Sequence, residues 1–260
     1  LFRSTATTLG STVDVPVLAT ADEATTATIT ASAVDKAGNR SEDASTTVRI
    51  DQAKPTVKFF SVTPDAGSDG IYAVGASVTA DFSCDDVGSG IDTCELLVDE
   101  VPATTIDTSV AGTRTLAVRA KDFVGNEFIS DPIDIRIYYG ICPLYNTDQA
   151  KNIGSNYTIK LQLCDAGGNN LSSRQITLTA LTVDGDVDPG PNDSGKANAG
   201  YEFRYNASDA SYIYNLDTST LDAGSHLLYF TTASVPKPRP TDPLVLQSYV
   251  DTEPAPFVLR

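Results

Sequence analysis

Two stretches decide how this chain is read: Thr26–Asn39, TATITASAVDKAGN, and Thr113–Asn126, TRTLAVRAKDFVGN. They lie 87 residues apart and align without a gap. Thr26 and Thr28 fall on Thr113 and Thr115, Ile29 on Leu116, and Ala33 on Ala120. Asp35, Gly38 and Asn39 fall on Asp122, Gly125 and Asn126, and Val48-Arg49-Ile50 on Ile135-Arg136-Ile137. Such agreement at one offset marks an internal repeat.

Each copy alternates. Ile29, Ala31 and Ala33 share one side; Leu116, Val118 and Ala120 share the other copy's equivalent. Period two with Thr and Val enrichment predicts a half-buried strand. D-x-x-G-N then predicts a turn. Asp caps it through its own backbone, Gly supplies positive φ, and Asn tolerates the left-handed region. A second strand is expected afterwards, Thr46–Ile50 and Ile133–Ile137, which makes a β-hairpin. In the second copy, further strands are expected at Thr56–Val62, Ser77–Cys84, Cys94–Val98 and within Val101–Thr108. A unit of this length with turns every ten or so residues predicts an all-β fold of tandem immunoglobulin-like sandwiches.

The segment A-V-D-K-A-G-N (Ala33–Asn39), followed by V-R-I-D…P (Val48–Asp51 and Pro55), resembles tandem bacterial Ig-like repeats. The second copy departs from that pattern, with Phe123-Val124 in place of Lys-Ala and Tyr138 in place of the linker Asp. FSCDDVGSGIDTC (Phe82–Cys94) resembles members of that group that staple strands across an S-G-I turn. The resemblance covers residues 1–138 and implies an extracellular or cell-surface stalk. By the 87-residue offset, Leu1 corresponds to position 88. The expectation is therefore an incomplete domain at 1–53, its first strands missing or supplied in trans, and a second domain at 54–138.

After Tyr138 the composition changes: ten of the eleven tyrosines lie from there onward. Strands are expected at Tyr157–Cys164, Gln175–Val183, Tyr201–Tyr205, Ser211–Leu216 and His226–Thr231, forming a third sandwich over 139–260. K-L-Q-L-C-D from Lys160, Phe203-Arg204-Tyr205, Y-I-Y-N-L from Tyr212 and L-D-A-G-S-H-L-L from Leu221 resemble a C-terminal domain named for a P-x-K-F strand. Thr158 and Leu161 depart from the name itself. That resemblance implies no enzyme activity.

The net charge of −16 disfavours nucleic acid and anionic membranes as partners, and no apolar run is long enough to insert in a bilayer. The single histidine, His226, excludes multi-histidine metal sites, and a corner-anchoring role is expected of it. The four cysteines form no C-x-x-C pair, so two disulfides are expected. Three connectivities exist; Cys84–Cys94 and Cys142–Cys164 keep each bond inside one segment. The first closes a short loop, which the chain-entropy model values at roughly 3 kcal/mol.

The acidic loop Asp184, Asp186, Asp188 opens like a calcium loop but has Pro189 at the sixth position and Gly195 at the twelfth. It is the calcium candidate. D-x-x-G-N itself offers only two or three oxygens and is read as a turn. Asp85, Asp86 and Asp92 are read as solvated turn acids, with cation binding as the alternative. Tyr212 and Tyr214, with Tyr201 and Tyr205, are offered as a sugar-stacking platform, although their alternation fits a core face. Lys160 is read as an outward strand lysine, with an isopeptide to an Asn as the sharper option. No catalytic group stands out, so a non-enzymatic structural or spacer role is expected, including a filament subunit built by strand complementation. Its partners would be neighbouring Ig-like domains or identical subunits. The alternative is a carbohydrate-binding or adhesive module facing cell-surface polysaccharide.

Overall fold

The computed structural model describes residues 2–5, 12–15, 24–65, 70–187, 191–192, 200–233, 240–242 and 250–260. Among them there is no helix, and every regular element is a strand. The chain is all-β. It divides into two compact units that do not follow chain order. The first holds residues 1–62, 80–104 and 115–133; the second holds 63–79, 105–114 and 134–260.

In the first unit, β1 (Phe2–Thr5) pairs with β2 (Thr12–Val15), and β3 (Ala24–Ala31) with β4 (Ala44–Asp51). The β3–β4 register runs from Ala24↔Asp51 to Ala31↔Ala44, and the bridge Val34↔Arg40 continues it towards the turn. Thr25, Ala27, Ile29, Val48 and Ile50 form its one half-buried face. That alternation follows from side chains pointing to opposite faces. β5 (Thr56–Thr63) pairs with β7 (Thr79–Asp85). β8 (Ile91–Val98) lies between β9 (Val101–Ala103) and β10 (Gly112–Asp122), and β10 also pairs with β11 (Glu127–Ile129). Leu116, Val118 and Ala120 of β10 are fully buried, as period two predicts.

The expected strand after the second turn, Ile133–Ile137, is present as the strand Ile133–Tyr138. A short strand that was not expected, β11, comes before it, directly after the turn. Lys121↔Glu127 is its first pair, the 87-residue image of Val34↔Arg40. Cys84 on β7 is bonded to Cys94 on β8, so the disulfide crosses from one sheet to the other.

In the second unit, β6 (Ile71–Ala73) pairs in parallel with β12 (Ile133–Tyr138). One sheet has the order β13 (Gly140–Pro143), β14 (Asn156–Cys164), β17 (Ser211–Asp217), β16 (Arg204–Asn206). Another has the order β15 (Thr179–Val183), β18 (Gly224–Thr231), β19 (Ala255–Leu259). Tyr157, Ile159, Leu161 and Leu163 from β14 and Tyr212, Tyr214 and Leu216 from β17 pack with Leu228, Phe230, Phe257 and Leu259 in one core. Cys142 and Cys164 are bonded across the β13–β14 pair.

Candidate functional site

The repeat motif closes its turn in the same way each time. Asp35 Oδ1 accepts hydrogen bonds from the Ala37 and Asn39 amides at 2.8 Å each, and Oδ2 accepts from Asn39 Nδ2 at 2.8 Å. Asp122 Oδ1 accepts from the amides of Val124, Gly125 and Asn126 at 2.9, 2.6 and 2.8 Å, and Oδ2 from Asn126 Nδ2 at 2.7 Å. Gly38 and Gly125 take φ of 91° and 100°, where a Cβ would be strained.

A third copy sits in the second unit, outside the 87-residue register. Asp165-Ala-Gly-Gly-Asn169 repeats the pattern: Asp165 Oδ1 accepts from the Gly167 and Asn169 amides at 2.8 Å, and Asn169 Nδ2 donates to Oδ2 at 2.9 Å. Gly168 has φ of 78°. The signal was legible, since D-x-x-G-N stands in the sequence there; only its displacement from the repeat hid it.

These bonds to the charged form hold all three carboxyls below the usual carboxylate range. For Asp35 and Asp165 the side-chain amide of the paired Asn is the leading cause. For Asp122 burial opposes, but Asn126 and the turn amides together prevail. A depressed folded-state pKa gives stability that is complete above the unfolded value and is lost as pH falls through the folded one. Urea midpoints are therefore expected to be flat from pH 7 to about 5 and to fall below about pH 4. Asn126→Ala, which lets the Asp122 pKa rise towards its unfolded value, should make that fall shallower.

What separates the three turns is burial and company. Asp35 is exposed, whereas Asp122 is 1% exposed. Asn126 also donates to Ala53 O at 2.9 Å, which ties the segment after β4 to the β10–β11 turn. Asp51, at the end of β4, then lies beside Asp122 and Asp86. One carboxylate oxygen from each lies within 4.8 Å of the others.

Asp86 corrects its expected role as a solvated acid. Its Oδ2 accepts from the Gly88 and Gly90 amides at 3.0 and 2.7 Å, inside the β7–β8 turn. Its Oδ1 and the neighbouring Ser89 Oγ are shut off from solvent without a hydrogen-bond partner. Asp51 Oδ2 accepts from Ser89 N at 2.5 Å and Oδ1 from Ala53 N at 3.0 Å. A Cβ at Gly88 would come within 2.2 Å of Asp51 Cγ, so only glycine lets that carboxylate in. Among the described residues no Lys or Arg pairs with any of the three acids. The nearest sequence neighbour that does is Asp85, which pairs with Lys58 at 3.1 Å.

The other candidates find structural places. Asp184 accepts from Leu227 N at 2.7 Å and meets His226 Nδ1 at 2.6 Å, while His226 Nε2 faces Asp222 O at 2.9 Å. The ring stacks on Phe257, with centroids 5.2 Å apart. His226 thus anchors the Asp184 turn to β18. Asp186 is exposed, and Asp188 lies outside the described residues. Tyr212 and Tyr214 are 1% and 0% exposed. Their hydroxyls donate to Ser173 O at 2.9 Å and Pro191 O at 2.7 Å. Both rings belong to the core, so a sugar could stack on them only if the core opened. Among the described residues, Lys160 forms an ion pair with Asp209, whose carboxyl it holds low.

Aromatic surface exists elsewhere. In the first unit Phe59, Phe60 and Phe128 line a shallow groove of about 370 Å³ with Val57, Pro132 and Ile133. Phe59 and Phe128 are exposed.

No protein-family model matches this chain, and no curated protein matches it in sequence.

Proposed function

We infer that this chain is a non-enzymatic structural or spacer region of an extracellular or cell-surface protein, built of immunoglobulin-like sandwiches. The observation that carries the reading is the repeated Asp-x-x-Gly-Asn turn. The residues with the most chemistry in the repeat are consumed in holding hairpins together. The two disulfides support an oxidising compartment. They are also the crosslinks that small sandwiches gain most from. The β3–β4 hairpin supports assembly with identical subunits. It pairs with no third strand among the described residues, and its apolar face is only half covered. An open strand edge with an apolar face is what strand complementation uses.

The second reading, a carbohydrate-binding or adhesive module, is favoured by the Phe59–Phe128 groove. A glycan array with cell-surface polysaccharides separates the two. The spacer reading expects no specific binding. Binding that is lost in Phe59→Ala and Phe128→Ala, with unfolding midpoints unchanged, would favour the module.

A further inference from the structure

We propose that the outer edge of β4, at Arg49–Asp51, takes up a short extended strand from a neighbouring Ig-like domain. The strand is added in parallel, is apolar at alternate positions and carries no acid. This narrows the strand-complementation part of the spacer reading from an identical subunit to a strand of stated chemistry. The spacer reading itself stands on the repeated turns and survives if this edge takes no strand. The internal repeat shows both the opening and what fits it. β4 is the 87-residue image of β12. β12 lies between β10 and the parallel strand β6, whereas β4 pairs with β3 alone among the described residues. Along β12 the register is Arg136↔Ile71, Ile137↔Tyr72 and Tyr138↔Ala73. Arg136 N donates to Gly70 O at 2.8 Å, and Val74 N donates to Tyr138 O at 2.9 Å. Arg49 N and Asp51 O are the images of those two groups on β4. Asp51 O accepts a long bond from Asn126 Nδ2 at 3.4 Å, and its second lone pair is left for a strand amide.

Burial shows the same contrast. Ile135 and Ile137 of β12 are buried, and so are Tyr72 and Val74, which β6 brings to that edge. Val48 and Ile50, the images of Ile135 and Ile137, are only half-buried. Ala31, the image of the fully buried Val118, is exposed. What this face lacks is therefore apolar cover at alternate positions of one added strand, since side chains two apart share a face. Backbone bonds to the open edge supply affinity, and the alternate side chains supply specificity. Charge narrows the partner further. Arg49 and Asp51 offset each other along the edge, while the whole chain carries −16 and repels an acidic segment. A second copy of the chain keeps its own Ile71–Ala73 paired with β12, so the strand comes from another domain of the same kind.

The test uses the whole natural chain and, as probe, an end-capped synthetic peptide with the sequence of Gly70–Ser77, GIYAVGAS. Amide spectra of the chain are followed through the titration. Arg49, Ile50 and Asp51 are expected to shift along one saturable curve with Kd of about 10⁻³ M. A peptide carrying Tyr72→Asp and Val74→Asp is expected to bind about tenfold more weakly or worse. The same loss is expected of a peptide N-methylated at Val74, which has no N–H to give to Asp51 O. The variations lie in the peptide, so folding of the chain is never at issue. The proposal is overturned if Arg49–Asp51 show no saturable shift, or if both altered peptides bind as well as the first. It is also overturned if the shifts centre on Arg136–Tyr138, where the peptide would be replacing β6. Shifts of Arg49–Asp51 with chain concentration alone, matched by dimers in sedimentation, would overturn it in favour of a second copy.

Discussion

Tyr214→Ala is expected to destabilise the second unit by about 4 kcal/mol, read from urea unfolding followed by tyrosine fluorescence. The ring is wholly buried and lies 4.9 Å from that of Phe203, centroid to centroid. Phe203 in turn packs 5.2 Å from Phe230 of the facing sheet. Truncation therefore opens a cavity between the sheets and leaves Pro191 O without its donor. Tyr214→Phe keeps the ring and loses only the hydroxyl bond, so a cost of about 1 kcal/mol is expected. The pair of variants separates a core role from a sugar platform. A platform residue would lose binding on truncation and leave the unfolding midpoint where it was.

The second large effect belongs to Asp122. Asp122→Ala is expected to cost about 3 kcal/mol in the first unit, measured by calorimetric unfolding in chelator so that no metal contributes. The carboxylate is buried, and its loss strands three turn amides and the Asn126 side chain together. Hydrogen bonds to a charged acceptor are worth more than neutral ones, so losing four together is costly. Asn126 also holds Ala53 O, so the segment after β4 should loosen with it. Asp35→Ala removes the same motif from an exposed turn, where water replaces the lost partner. It should leave the main transition unmoved. The contrast tests whether burial, rather than the motif, sets the energetic weight.

Much of this was legible because it is local. Alternation in Thr113–Asn126 places Leu116, Val118 and Ala120 inside, and they are. The 87-residue offset carries through to pairing, since Val34↔Arg40 and Lys121↔Glu127 are images of each other. Strands too short to show a period escaped, namely β1, β2, β6, β11 and β13. β19 escaped as well, because Pro254 and Pro256 mask its pattern. The Asp51–Asp86–Asp122 meeting could not be read at all. It joins positions 35 or more residues apart, and which turn receives Asp51 depends on how the chain packs. The tyrosines were ambiguous for a physical reason: an alternating Tyr face serves a core or a platform equally well until its covering sheet is known.

The structural role is tested most directly on native material. Immunogold electron microscopy of the source cells, with antibody to this chain, shows whether it is built into a surface assembly. The account predicts label along stalks, fibres or a layer at the cell surface. Label confined to freely diffusing monomers, together with specific glycan binding through the Phe59–Phe128 groove, would contradict it.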